Sequence, residues 1–219
     1  MSLCDQTLTR FLERLGSGDP TPGGGSVAAL CGALGAALAA MVSRLTLGRK
    51  TYQTAWEAME DVRQKSEHLA GRFQALVEED TLAYEAVMEA VKRPRENEKQ
   101  KQERQEALQN ALKKAALVPL ETLRASAELV ETAVIALKKG NPNALTDAGV
   151  AVQLARAAAL SAAYNVNVNL AGLTDEAFST RTAKDVQALL ETILTRSAEA
   201  EKAVLDRLGS LKKGPKSVL

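Results

Sequence analysis

Three stretches of this chain carry residue types suited to chemistry on a small charged molecule. The first is Pro20-Thr21-Pro22-Gly23-Gly24-Gly25-Ser26, followed by an uncharged run from Val27 to Ser43. Prolines fix φ, glycines open backbone conformations closed to other residues, and Ser26 is suited to cap the helix that the run predicts. Bare N–H groups and the positive end of that helix would then face an anionic or carbonyl-bearing ligand at Pro22 and Gly23 to Ser26. The alternative is a stiff turn into a buried helix. The second stretch lies in the pattern from 52 to 92, where Leu69, Phe73, Leu76, Ala83, Val87 and Ala90 make an apolar stripe. Asp80 falls in it. A carboxylate there costs several kcal/mol unless paired, hydrogen-bonded or protonated, so Asp80 either pairs with a partner or lines a cavity. Tyr84, one turn on, adds a phenolic donor to the same place.

The third stretch, Asn141-Pro142-Asn143-Ala144-Leu145-Thr146-Asp147, holds a second carboxylate in a polar turn. Thr146 or Asp147 either caps the next helix or belongs to a site. Asp147 and Asn165 share a helix face but lie roughly 27 Å apart along the axis, so they cannot serve one pocket in a single subunit. Asn165 and Asn169, one turn apart, are expected to hydrogen-bond a neighbouring helix or loop. Arg49 and Lys50 either hold a carboxylate or face solvent. His68 reads as an idle surface residue, Cys31 as a small packing residue, and Glu78, Glu79 and Glu85 as solvated carboxylates.

The elements that must position these groups are helices. A short amphipathic helix, Leu3 to Leu15, turns Leu8, Phe11, Leu12 and Leu15 to one side. The Ala/Gly-rich helix after Ser26 has no polar face and belongs at the centre of a bundle or at a subunit interface. Pro119 is expected to kink or interrupt a helix that stops at Lys138-Lys139-Gly140. A long helix then runs to about Leu170, Thr174-Asp175-Glu176 caps the last one, and residues 209–219 read as a frayed tail. The expectation is all-α: one domain over 1–219, about six long helices around the Ala/Gly-rich one, paired as a symmetric homodimer.

Composition excludes several functions. The 219 residues carry a net charge of +1 and 3% aromatics, which speaks against binding nucleic acid by bulk charge or base stacking. With two cysteines and one histidine, no disulfide framework, metal-ligand set or Ser-His-Asp triad is expected. The N-terminus lacks a signal-peptide pattern and the apolar run lacks the bulk of a bilayer span, so the expected setting is the cytoplasm, with no membrane. The G-x-x-x-x-G-K-[ST] spacing of a P-loop is absent.

One ordered series of motifs resembles a known family. Pro20-Thr-Pro-Gly-Gly-Gly-Ser-Val-Ala-Ala, Gly48-Arg-Lys, Asp80 with Ala83 and Tyr84, Val118-Pro119-Leu120, Gly140-Asn141 with Asp147, Asn165-Val with Asn169-Leu170, and Thr174-Asp-Glu-Ala-Phe178 are similar to the cyclodeaminase domain of formiminotransferase-cyclodeaminase and its stand-alone relatives. Those relatives include methenyltetrahydrofolate cyclohydrolases. The resemblance runs from about Leu8 to about Leu208, with no transferase domain before it. It implies an all-helical, dimer-forming folate enzyme that takes a tetrahydrofolate derivative as substrate and uses no metal or redox cofactor. It implies ring closure of 5-formiminotetrahydrofolate to 5,10-methenyltetrahydrofolate with loss of ammonia, or hydrolysis of the methenyl compound at the same site. Asp80, then Asp147, are the catalytic candidates it points to. Tyr84 and Asn143 would orient the pterin, with Asn141 beside them. Pro22, Gly23, Gly24, Gly25 and Ser26 would bind a carbonyl or carboxylate, and Arg49 and Lys50 the glutamate tail. The reading from another class is a non-catalytic helical dimer that binds an anion or a protein partner at the glycine turn.

Overall fold

A computed structural model describes residues 2–211 and contains six α-helices, with no strand among those residues. They are α1 (Leu8–Leu15), α2 (Gly24–Thr46), α3 (Trp56–Lys92), α4 (Glu98–Lys139), α5 (Leu145–Leu170) and α6 (Glu176–Leu211), with short 3-10 turns at Lys50–Ala55 and Pro142–Ala144. The all-α expectation holds. The tail expected over 209–219 is helical through Leu211, and the rest of it lies outside the described residues.

α2 packs against α3, α4 and α5, while α6 lies on the outer side of α4 and α5. Close approach explains the composition of α2. A Cβ on Gly32 would overlap the Phe73 ring of α3, and one on Gly35 would press on the Ala151 carbonyl at 3.1 Å. Ala29, Ala36, Ala39 and Val42 are fully buried. Ser43 Oγ donates to the Met59 carbonyl, satisfying a polar group inside the core. The outer stripe is another matter: Leu34 is 51% and Leu45 37% exposed. The helix without a polar face therefore covers only its inner side within one chain. By length and composition α2 alone, among the described helices, could cross a membrane, yet most of it is buried in the bundle.

Four expectations change. α1 begins only at Leu8, where Thr7 Oγ1 accepts from Arg10 N, and of its expected apolar side Phe11 is buried while Leu8 and Leu12 stay exposed. Glu78 is not merely solvated, because it accepts from Ser2 Oγ at 2.6 Å and from the Leu3 and Cys4 N–H groups; Glu79 pairs with Arg72. Pro119 does not interrupt its helix, and α4 continues from Glu98 to Lys139. At the start of α5 the preceding 3-10 turn sets the helix origin at Leu145, so Thr146 and Asp147 sit inside its first turn and neither caps it. Gly48 follows α2 at φ 77°, the left-handed region glycine tolerates. The start signal expected for the last helix is present, with Asp175 Oδ1 accepting from Phe178 N to cap α6.

Candidate functional site

The glycine turn and the stripe carboxylate meet. α2 starts after Gly23, which caps with no side chain, so Ser26 lies in the first helical turn. Ser26 is therefore not the cap expected of it. Its buried hydroxyl reaches across to α3, 3.0 Å from both the Val77 carbonyl and Asp80 Oδ2. The Ser26 backbone N–H, on the same side, also works to lower the Asp80 pKa. The anion that the bare N–H groups of α2 face is thus the chain's own Asp80, an arrangement the helix dipole favours. Gly25 makes it possible: a Cβ there would overlap the carboxylate group.

Asp80 is half-buried, and burial pushes its carboxyl above the ordinary value of 3.8, against the lowering effect of the Ser26 side chain and backbone N–H. It lines a cavity of about 370 Å³ between the Pro20–Gly25 turn, Tyr84 of α3, Ala115 of α4, and Asn165 and Asn169 of α5. The cavity is rich in oxygen acceptors. Asn165 Nδ2 donates to the Ser161 carbonyl at 2.9 Å, and Asn169 Nδ2 to the Ala115 and Asn165 carbonyls at 3.0 and 2.8 Å. With both of its N–H groups so engaged, the Asn169 amide has its carbonyl oxygen to offer a ligand, while Asn165 keeps a second N–H besides its own oxygen. Such lining suits a cation or an N–H-rich ring. A larger hollow beside Glu176, Arg181 and Lys184 is an open dish on α6 with no buried carboxylate in it. Asn165 and Asn169 are signalled in the sequence by polarity within an alanine-rich helix, but not as members of this site.

Pro22 is buried behind the turn, and Gly23, Gly24 and Gly25 border the cavity with Tyr84. The other candidates lie elsewhere. Arg49, Lys50 and Asn143 are exposed past the far end of α2, which is about 32 Å long from Gly25 to Thr46 at helical rise. Asp147, in the first turn of α5, shares that far end. Asn141 is 4% exposed there. Its side chain accepts from Tyr52 Oη and Asn143 N and donates to the Leu45 carbonyl, while its N–H bonds Thr46 Oγ1 at 2.8 Å. One subunit does not bring these residues to Asp80. His68 is exposed, and burial alone raises the Cys31 thiol, which suits a packing role. Among the described residues no three of His, Cys, Asp and Glu cluster as metal ligands would.

The geometry makes two predictions. Gly25→Ala expels the Asp80 carboxylate from its seat and removes whatever activity the site has, whereas Gly24→Ala, whose Cβ meets nothing nearer than Asn165 Nδ2 at 3.7 Å, keeps most of it; turnover of the two variants side by side checks this. The second concerns stability. Because the folded Asp80 titrates above 3.8, between that value and its raised pKa the folded chain binds more protons than the unfolded one, and stability falls as pH rises through the window. Asp80→Asn removes this loss. Its Tm is expected to match the parent's below pH 3.8 and to exceed it increasingly as pH climbs through the window, read by thermal melts across pH.

Comparison with known proteins identifies the family. The sequence matches the formiminotransferase-cyclodeaminase family over residues 7–188. It is 42% identical to a methenyltetrahydrofolate cyclohydrolase of Methylorubrum extorquens, over 85% of this chain and 89% of that protein. It is 33% identical to a mouse formimidoyltransferase-cyclodeaminase over 90% of this chain but only 36% of the mouse protein, so the chain spans about a third of that relative's length. The crystal structure of a formiminotetrahydrofolate cyclodeaminase from Thermotoga maritima superposes with a TM-score of 0.85 at 28% identity, covering 94% of this chain and all of that one. The helical bundle, the PTPGGGS turn seated on Asp80 and these matches place the chain in the formiminotransferase-cyclodeaminase family.

Proposed function

We propose that the cavity is a folate site at which Asp80 carries a proton during chemistry at the one-carbon bridge between N5 and N10 of tetrahydrofolate. The observation that supports it is a half-buried carboxylate, raised in pKa by burial with no cation among the causes that shift it, at the floor of an acceptor-lined cavity. In the first reading, hydrolysis of 5,10-methenyltetrahydrofolate, ionised Asp80 takes a proton from the water that attacks the cationic methenyl carbon. The adduct then collapses with cleavage of its bond to N5. Protonated Asp80 returns its proton to N5, the hydroxyl proton leaves to solvent, and 10-formyltetrahydrofolate results. A carboxylate with a raised pKa suits both halves of that exchange. Its charge also favours binding of the cationic substrate, and the asparagine oxygens add to that field.

The second reading is closure of 5-formiminotetrahydrofolate. N10 attacks the formimino carbon, Asp80 accepts the N10 proton and hands one to the departing ammonia, and the methenyl cation is the product. The 42% identity to a stand-alone cyclohydrolase of similar length favours hydrolysis. The superposition on the Thermotoga cyclodeaminase over its whole length favours closure. Neither reaction moves electrons, so no redox cofactor is needed, and in this reading Asp80 carries the proton without a metal.

The cavity continues past Pro20, Thr21 and Tyr84 into a groove of about 350 Å³ along α3, lined by Met88 and, at its end, Lys92. This groove suits the aminobenzoyl ring and glutamate tail. Lys92 is a cation lining this groove that a tail carboxylate could meet, despite Glu85 and Glu89 beside it. The exposed stripe of α2, with Val150, Tyr164 and Val168 of the adjoining α5, would be covered by a second copy in a homodimer. A two-fold axis across these helices sets the partner's far end beside this subunit's cavity. In that pairing Arg49, Lys50, Asn143 and Asp147 keep a role, and the cytoplasm is the proposed setting.

Purified protein given 5,10-methenyltetrahydrofolate is expected to bleach the methenyl absorbance, and given 5-formiminotetrahydrofolate to release ammonia if the second reaction is its own. Asp80→Asn should lower the operating reaction by about 10²–10⁴-fold with the helical fold intact. Turnover of neither compound, or full activity in that variant, contradicts the reading. Lys92→Ala should raise KM about three- to tenfold for the natural substrate and leave it unchanged for the analogue lacking glutamate.

A further inference from the structure

Pro119 stands in the middle of α4, where proline removes the N–H that would bond the Ala115 carbonyl and its ring crowds that same oxygen. Such a carbonyl, buried between helices, must find another donor. It finds one on a different helix: Asn169 Nδ2 donates to Ala115 O at 3.0 Å, and the same nitrogen's second N–H goes to the Asn165 carbonyl at 2.8 Å. Ala115 and Asn169 both line the cavity that contains Asp80. With its two N–H groups anchored on two backbone carbonyls, the Asn169 amide has one plane and one remaining function, its Oδ1 acceptor.

We infer that Pro119 is a positioning residue of the folate site: by freeing and tilting the Ala115 carbonyl it pins Asn169 so that Oδ1 faces the ligand. The inference rests on the folate reading above. A proline inside a long helix without a break in that helix otherwise has no return for the bond it removes. Here the lost bond is replaced by one that crosses from α4 to α5 and orients a cavity side chain. The group oriented accepts from an N–H-bearing or cationic ring and repels an anion. Its effect is on substrate affinity, since proton transfer belongs to Asp80.

The test is a cycle of wild type, Pro119→Ala, Asn169→Ala and the double variant, each measured for Tm and for kcat and KM with 5,10-methenyltetrahydrofolate or, should closure be the operating reaction, 5-formiminotetrahydrofolate. The Pro119→Ala substitution supplies the missing N–H, so the Ala115 carbonyl swings back toward the helix axis. Asn169→Ala should therefore lower Tm in the parent background and change it little in the Pro119→Ala background, where the stranded carbonyl is satisfied. KM should rise about three- to tenfold in each single variant and no further in the double, with kcat within about twofold of wild type. Should Asn169→Ala alone fold poorly, Pro119→Ala alone decides the matter: a rise in KM at unchanged or higher Tm supports the inference, and a change in Tm without one overturns it. KM effects that multiply in the double variant also overturn it. A wild-type chain that turns over neither folate refutes the folate reading and this inference with it, whereas turnover with independent effects refutes the inference alone.

Discussion

A carboxylate seated at the start of a helix, inside a largely apolar bundle, is the contact on which the other features depend. Two opposing effects act on Asp80. The N–H groups and dipole of α2 favour its charge, and loss of water opposes it. Burial wins, since the carboxyl titrates above its ordinary value despite the Ser26 hydroxyl and N–H. Asp175 shows the contrary case in the same chain. It also accepts from a helix N-terminus, but the Lys113 ammonium at 2.6 Å comes first among the causes that hold its pKa down. Asp175 is thereby fixed as a charged cap. Asp80 has hydrogen-bond donors without a countercharge, and it can hold or release a proton at modest cost.

That seat requires α2 and α3 to lie in one register and very close. The contacts run in opposite directions along the two helices, Gly25 against Asp80, Gly32 against the Phe73 ring, Ser43 against the Met59 carbonyl. Sliding α3 by one residue would rotate Phe73 off the Gly32 notch and Asp80 off Gly25 together, because one rigid helix carries both. The register is enforced by an apolar contact in the core, well away from solvent, and the polar contact at the end of the bundle inherits its precision. The glycines of α2 thus give up helix propensity for proximity. The larger apolar side chains of α2, Leu34 and Leu45 among them, lie on its outer stripe and stay exposed, so the bundle within one chain does not finish the helix it is built around.

What the residues reveal on their own divides along physical lines. Asp80 is visible because a charge in an apolar stripe violates the periodicity around it, and periodicity is a local property. Helix number and most boundaries are visible for the same reason. Ser26 misleads because a serine after glycines reads as a cap, yet glycine can itself begin the helix, which frees the serine for a partner more than fifty residues away. Arg49, Lys50, Asn141, Asn143 and Asp147 group with Asp80 on motif order, which carries no information about which end of a long helix a residue occupies. Helix length does carry it, and α2 and α5 are long enough to separate their two ends completely. Asn169 bonds a neighbouring helix as expected while Asn165 bonds its own, but which acceptor Asn169 meets is not legible locally, because it is a carbonyl left without its donor by a proline on α4.

Both reactions open to this family make the same demand on the protein, which is why one site can host either. Each passes through a carbon bonded to two nitrogens and bearing positive charge, and each needs one proton carried from an attacking atom to a departing one. In the proposed mechanism a single carboxylate of raised pKa meets that demand. What separates the two is water. Hydrolysis needs a water molecule held at the cationic carbon beside Asp80, whereas closure is spoiled by one, because it would consume the methenyl product. In the proposed reading, discrimination would belong to the groups that shape the mouth of the cavity, Pro20, Thr21, Tyr84 and Val168, and to how a bound pterin ring fills the space between them. Tyr84 and Val168 are both exposed within one subunit. In the proposed reading, substrate and any second subunit would set how dry the Asp80 carboxylate becomes, and through that dryness both its pKa and the nucleophile it meets.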